Sequence, residues 1–141
     1  MSDPLRQRDG YRISSDPEDL DRDLIHAIIS NAYWAKGRPR EVMDRAIDHS
    51  SCFGMYCGAE QVGFARVISD RATFAYLADV FILPEHRGKG LGVWLVETVL
   101  ADPRLKGARK WMLATADAHE LYRRFGFTAL GDPGKMMVME R

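Results

Sequence analysis

A mixed α/β domain built on one central sheet is what this sequence predicts, and three observations carry the prediction. Two stretches near the N-terminus repeat their apolar residues at helical spacing. The middle of the chain holds three apolar runs of strand length. A glycine-rich turn then leads from the third run into a further amphipathic helix, and shorter strand and helix signals alternate after it.

Taken in order, residues 1–10 read as a loose lead-in to a single domain spanning residues 1–141. Tyr11–Ser14 is a short strand. Asp16-Pro17-Glu18-Asp19 reads as a helix start, with an Asp cap, Pro at the first helical position and acids facing the positive helix end. Leu20, Leu24, Ala27, Ile28 and Asn31 then recur at helical spacing. Lys36-Gly37-Arg38-Pro39 breaks the pattern, and a second helix follows over Arg40–His49 with Val42, Met43, Ala46 and Ile47 inward. Cys52–Cys57 and Val62–Ser69 are strands joined by a hairpin turn at Gly58-Ala59-Glu60-Gln61. Thr73–Leu83 is mostly apolar, as in a central strand buried on both faces. A helix runs from the glycine turn at Gly88–Gly92 to about Ala101, with Leu91, Leu95, Thr98 and Val99 on one face. Lys110–Thr115 is a further strand. Asp117 and Glu120 have capping-box spacing before a short helix that Gly126 stops. In that helix Leu121 and Phe125 share the buried face and Tyr122 lies on its edge. Phe127–Leu130 and Met136–Met139 read as the last two strands.

The chain has 141 residues, 46% of them hydrophobic and 28% charged, which suits one globular domain able to bury a core without a disulfide. The formal net charge is zero, which argues against nucleic acid as a partner. Cys52 and Cys57 form no CxxC pair and read as reduced, packed side chains, which fits a cytoplasmic protein. The first ten residues are polar, so no signal peptide is expected. No apolar run approaches the ~20 residues of a membrane span, so no membrane partner is expected either. His26, His49 and His119 have no metal-ligand spacing, and no metal is expected.

Arg87-Gly88-Lys89-Gly90-Leu91-Gly92 joins a buried strand to a helix. Glycines let the backbone adopt positive φ and approach a ligand closely. The first amides of a helix have no internal partner, and the helix dipole adds positive charge, so this turn is an anion site suited to a phosphate or pyrophosphate. Neither familiar phosphate loop is present. No G-x-x-x-x-G-K-[ST] string occurs, and the dinucleotide fingerprint fails at Val93.

The residues from Val80 to Gly92 resemble the acetyl-CoA motif of the GNAT superfamily of N-acetyltransferases, [RQ]-x-x-G-x-[GA], filled here by Arg87, Gly90 and Gly92 after a hydrophobic strand and Pro84. Ala118-x-x-Leu121-Tyr122-x-x-Phe125-Gly126-Phe127 resembles the family's second motif. The resemblance implies a GNAT-like fold: a central, mixed, mostly antiparallel sheet flanked by helices and splayed around the acetyl-CoA site. It implies that backbone groups of Val80 and Ile82 pair with the pantetheine arm, and that the amides of Arg87, Gly88, Lys89, Gly90, Leu91 and Gly92 hold the pyrophosphate. Thr115 stands where the family often has Asn, and a hydroxyl can replace only part of an amide's hydrogen bonding.

The implied reaction passes the acetyl group of acetyl-CoA to a primary amine by direct attack in a ternary complex. The acceptor is a small-molecule or peptide amine, and a homodimer is compatible with the fold. Tyr122 is the candidate acid for the leaving thiolate, since a phenol of pKa ~10 can protonate it. Asp79, an acid in an apolar strand beside the expected thioester, must be partnered or functional, and it is the candidate base. Tyr33 and Trp34 are candidates for the acceptor pocket. The alternative is an acetyl-CoA-binding sensor or interaction domain without turnover.

Overall fold

The computed structural model describes residues 6–141. Among them, six strands lie in one sheet in chain order: β1 (Gln7–Arg8), β2 (Tyr11–Ser14), β3 (Ser51–Cys57), β4 (Glu60–Ser69), β5 (Phe74–Ile82) and β6 (Lys110–Met112). The α-helices are α1 (Arg22–Ser30), α2 (Arg40–Asp48), α3 (Leu91–Leu100) and α4 (His119–Arg123). Four pairings are antiparallel, and β5 with β6 is parallel, as a crossover through α3 demands. The mixed class and the mostly antiparallel sheet are as the sequence predicts.

The lead-in expected over residues 1–10 ends sooner. Residues 1–5 lie outside the described residues, while Gln7 and Arg8 pair with Arg12 and Tyr11. The first helix also differs from expectation. Asp16 caps only a single 3-10 turn, Pro17–Asp19, by accepting from the Glu18 amide at 2.9 Å. Leu20 is extended, and Asp21 caps α1 by accepting from the Leu24 amide at 3.1 Å. The later start rotates the buried stripe onto Ile25 and Ile29 and leaves Ala27 exposed. In α2 the inward pair is Met43 and Ile47, four apart, while Val42 is 41% exposed. α3 buries Leu91, Leu95, Thr98 and Val99 as expected.

The core draws on β3–β5 and the inward faces of α1, α2 and α3. Fully burying side chains such as Ile25, Ile29, Phe53 and Phe64 contributes roughly 1.5–3 kcal/mol each. Cys52 is buried and Cys57 half-buried, both as free thiols, and burial pushes the Cys52 thiol up to about 12, so it stays protonated.

The C-terminal third departs most from the sequence reading. The strand expected over Lys110–Thr115 ends at Met112, where pairing with β5 ends. The two strands expected at Phe127–Leu130 and Met136–Met139 do not form. Met137, Val138 and Met139 are 95%, 83% and 74% exposed, and a 3-10 turn, Pro133–Lys135, precedes them. These residues pair with no described strand, so their strand propensity goes unrealised even though the outer edge of β6 is unpaired.

Candidate active site

β5 and β6 pair only from Phe74 to Tyr76, opposite Lys110 to Met112, and then part. The gap is a cleft of about 590 Å3. One wall is β5 at Ala78, Asp79 and Val80, and another is the chain after β6 from Leu113 to Ala118 with Tyr122 of α4. The loop between α1 and α2 closes it with Tyr33, Trp34 and Arg38.

The edge of β5 that faces this gap keeps free backbone groups. Leu83 donates its N–H to the Val62 carbonyl of β4 at 2.8 Å. Backbone polarity alternates along a strand, so Val80 and Ile82 turn theirs to the open edge. The Ile82 carbonyl is taken by the Arg87 Nε–H at 2.9 Å. Arg87 therefore folds its side chain back on the strand end.

At Asp79 the ladder bulges. Arg66 pairs with Ala78 and Phe64 with Phe81, so Asp79 and Val80 together oppose Ala65. Asp79 takes φ of +54°, which Asp tolerates better than most residues. Its side chain is only 1% exposed, and both oxygens are occupied. Oδ1 accepts from Trp34 Nε1 at 2.9 Å. Oδ2 accepts from Arg38 Nη1 at 2.9 Å and Arg66 Nε at 2.8 Å. Burial alone would raise the carboxyl's pKa. The Trp34 bond, the charge and bond of Arg66 and the charge of Arg38 outweigh it and hold it below the usual carboxylate range. Asp79 is therefore partnered, and it ties the α1–α2 loop to the strand.

At the far end of β5 the chain passes through a 3-10 turn, Pro84–His86, into the glycines. Gly88 and Gly90 have φ of +80° and +75°, and Gly90 precedes the first residue of α3. Chain neighbours and the helix's own backbone aside, a Cβ at Gly88, Gly90 or Gly92 would meet no atom of the described residues within 4 Å, which leaves room for a ligand over the helix N-terminus. Lys89 donates to the Tyr11 hydroxyl at 3.2 Å, and that hydroxyl also bonds His86 Nδ1 at 2.8 Å. His86, in the turn before the glycines, is thus tied to β2.

On α4 the order of burial is the reverse of the expected one. Tyr122 is 8% exposed, whereas Leu121 and Phe125 are half-buried. The Tyr122 ring packs edge-on against Phe127, with centroids 5.9 Å apart. Its hydroxyl has no protein partner, yet among the described residues only the Tyr56 hydroxyl is both unpartnered and sealed from solvent. The Tyr122 hydroxyl is therefore reached by solvent, and Tyr122 lines both the cleft and a neighbouring cavity walled by Trp111, His119 and Phe127. Burial first, then the Asp117 charge, raises its pKa and keeps it protonated. The capping box expected at Asp117 does not form: α4 starts after Ala118, whose amide donates to Thr115 Oγ1 at 3.0 Å. Thr115 thus spends an acceptor site on the helix, and both Thr115 and Asp117 line the cleft.

The sequence reading missed Arg38, Arg66 and Asp117. Arg66 carried a signal: it is a lone cation in an apolar strand, as Asp79 is a lone anion in the next, and two such anomalies on neighbouring strands call for each other.

Residues 48–129 match the family model of the acetyltransferase (GNAT) domain. A candidate GNAT-family acetyltransferase from Xanthomonas campestris pv. campestris, known from its crystal structure, is 49% identical over 96% of both chains, with a TM-score of 0.91. A candidate acetyltransferase of Gibberella zeae is 36% identical over 82% of this chain and 77% of its own. The chloroplastic serotonin N-acetyltransferase 2 of Oryza sativa subsp. japonica is 28% identical over 94% of this chain and 68% of its own.

Proposed function

This chain belongs to the GNAT acetyltransferase family, and from that premise we propose that it is an N-acetyltransferase that moves the acetyl group of acetyl-CoA to a small primary amine within a ternary complex. One observation carries the reading. A single cleft is lined by both β5 and Tyr122, and β5 itself leads into the open glycine turn. Residues 1–141 act as one catalytic domain.

The amides at the start of α3 hold the cofactor's pyrophosphate, and the pantetheine arm lies along Val80 and Ile82 as an added strand. The acceptor nitrogen attacks the thioester carbonyl. The developing oxyanion takes a hydrogen bond from the Val80 N–H, which alternation along the end of β5 turns to the open edge. The C–N bond forms, the C–S bond breaks, and Tyr122 gives its proton to the leaving sulfur. The acceptor's surplus proton returns to Tyr122 or leaves through water. Asp79, expected as the base, accepts hydrogen bonds on both oxygens and has a lowered pKa, so its part in the reaction is to hold the acceptor wall. The rice relative's name carries a small arylalkylamine, serotonin, and a cleft of about 590 Å3 suits an acceptor of that size.

The test is free-thiol release from acetyl-CoA against a panel of small amines and peptides, beside calorimetry with acetyl-CoA alone. Binding with amine-dependent thiol release is expected. Binding without release on any amine would leave the sensor reading standing, and no binding at millimolar acetyl-CoA would remove both.

A further inference from the structure

The acceptor side of the cleft holds more positive charge than it neutralises. Arg38 and Arg66 share one carboxylate, Asp79, and among the described residues neither guanidinium reaches a second acid. Both are substantially withdrawn from water, with side chains 22% and 10% exposed. Charge taken from water without a counter-charge is costly. Arg66 spends Nη1 on the Ser50 hydroxyl at 3.1 Å. Arg38 makes its side-chain contacts through Nη1 alone, to Asp79 at 2.9 Å and the Met43 sulfur at 3.5 Å. Its Nε–H and Nη2 donors have no partner among the described residues. Those two donors form one edge of the guanidinium, and that edge matches two oxygens of a carboxylate or phosphate in bidentate fashion. The Asp79 bond holds Arg38 in place, so little freedom is lost when an anion docks.

The other wall has the opposite character. Asp117 lines the same cleft beside Tyr122, and its carboxylate joins no ion pair among the described residues. The exposed rings of Tyr33 and Trp34, edge to face at 5.2 Å, stand at the mouth.

Building on the N-acetyltransferase reading, we propose that the acceptor is a small amine that also carries an anionic group, carboxylate or phosphate, seated on the free edge of Arg38 while its amino nitrogen lies towards Asp117 and Tyr122. A cationic amine without an acid group would meet Asp117 but leave the surplus charge on Arg38 and Arg66 unmatched. An acidic amine completes the count on both walls. The substrate class is then amino acids or amino phosphates in preference to plain arylalkylamines and polyamines.

Matched acceptors test this: phenylalanine with phenethylamine, tryptophan with tryptamine, and phosphoethanolamine with ethanolamine, each as kcat/KM by thiol release. The acid-bearing member of at least one pair should win by about tenfold or more, the scale of one charge-assisted hydrogen bond. The amino-acid pairs and the phosphate pair separate the two sources of anion. Arg38→Gln keeps a donor for Asp79 but removes the fork, and the preference should fall towards one. The ratio is the readout, because a loosened loop lowers both members of a pair alike. A parent enzyme that uses the plain amine of every pair as well as the acidic one overturns the proposal, and so does an Arg38→Gln variant that keeps the preference. Acetyl-CoA binding with no thiol release on any amine overturns the transferase reading itself.

Discussion

The two ends of β5 solve the problem of holding charge in different ways. At the bulge, the work is done by side chains: Asp79 is buried among Trp34, Arg38 and Arg66, partners 13 to 45 positions away in the chain. At the glycine turn, it is left to the backbone: positive-φ glycines, a helix N-terminus and open space. The first end is complete in the folded protein, apart from one edge of Arg38. The second offers donors that only a ligand can use. Change at the bulge should therefore appear in folding stability, and change at the turn in cofactor binding.

Arg66→Met tests the first half of that contrast and should have the largest effect. It strips a buried carboxylate of its closest partner, a loss of about 3 kcal/mol, at the low end for broken buried pairs because Arg38 and Trp34 remain. Denaturant unfolding measures it, and a change under ~0.5 kcal/mol would show that the cluster is not structural.

Gly90→Val tests the second half. The branched side chain disfavours φ of +75° by roughly 1–2 kcal/mol, and it fills the space where the pyrophosphate is proposed to lie. Acetyl-CoA affinity should drop about a hundredfold, or ~2.7 kcal/mol, more than the fold itself loses. Equal titration curves for variant and parent would place the cofactor elsewhere.

Tyr122→Phe belongs to neither end and shows whether the cleft between them is catalytic. Turnover on a demonstrated amine should fall ~10²-fold, with acetyl-CoA affinity little changed and circular dichroism unaltered. A rate within a few-fold of the parent would take the phenol out of the mechanism.

The smallest effect sharpens the comparison most. Gly92 lies in the first turn of α3 with nothing near its missing Cβ. Gly92→Ala should stabilise the free protein by ~0.4–1 kcal/mol yet shrink the thermal shift that acetyl-CoA produces. A rise in Tm with an undiminished ligand shift would mean that this glycine serves the helix alone.

What the sequence revealed follows the same division. The turn and the α4 motif are local, written in consecutive residues, so their positions could be read directly. The order of β2 to β6 was legible because each apolar run is longer than the uncertainty in its ends. The clasp was half legible: Asp79 stood out as an acid in an apolar strand, but its partners lie on a loop and another strand, and no spacing rule joins them. The start of α1 is ambiguous in the sequence because two Asp caps, Asp16 and Asp21, stand five residues apart and Pro17 favours the first. The last two strands were misjudged because an apolar run such as Met136–Met139 has strand propensity whether or not an edge is available to it. Tyr122 was assigned to the cleft for its motif, although periodicity gave its helix the wrong buried face.

Among the described residues, only three residue pairs, between β5 and β6, link the sheet to the part of the chain that carries α4. Local opening begins where few backbone bonds and little buried surface must be surrendered. In amide hydrogen exchange, Lys110–Met112 should therefore exchange well ahead of the β3–β4 ladder, which is paired along the whole length of β3. Acetyl-CoA, proposed to lie between β5 and Tyr122, would span that seam as a removable crosspiece, so exchange at Lys110–Met112 should slow when the cofactor is added and quicken when it is taken away.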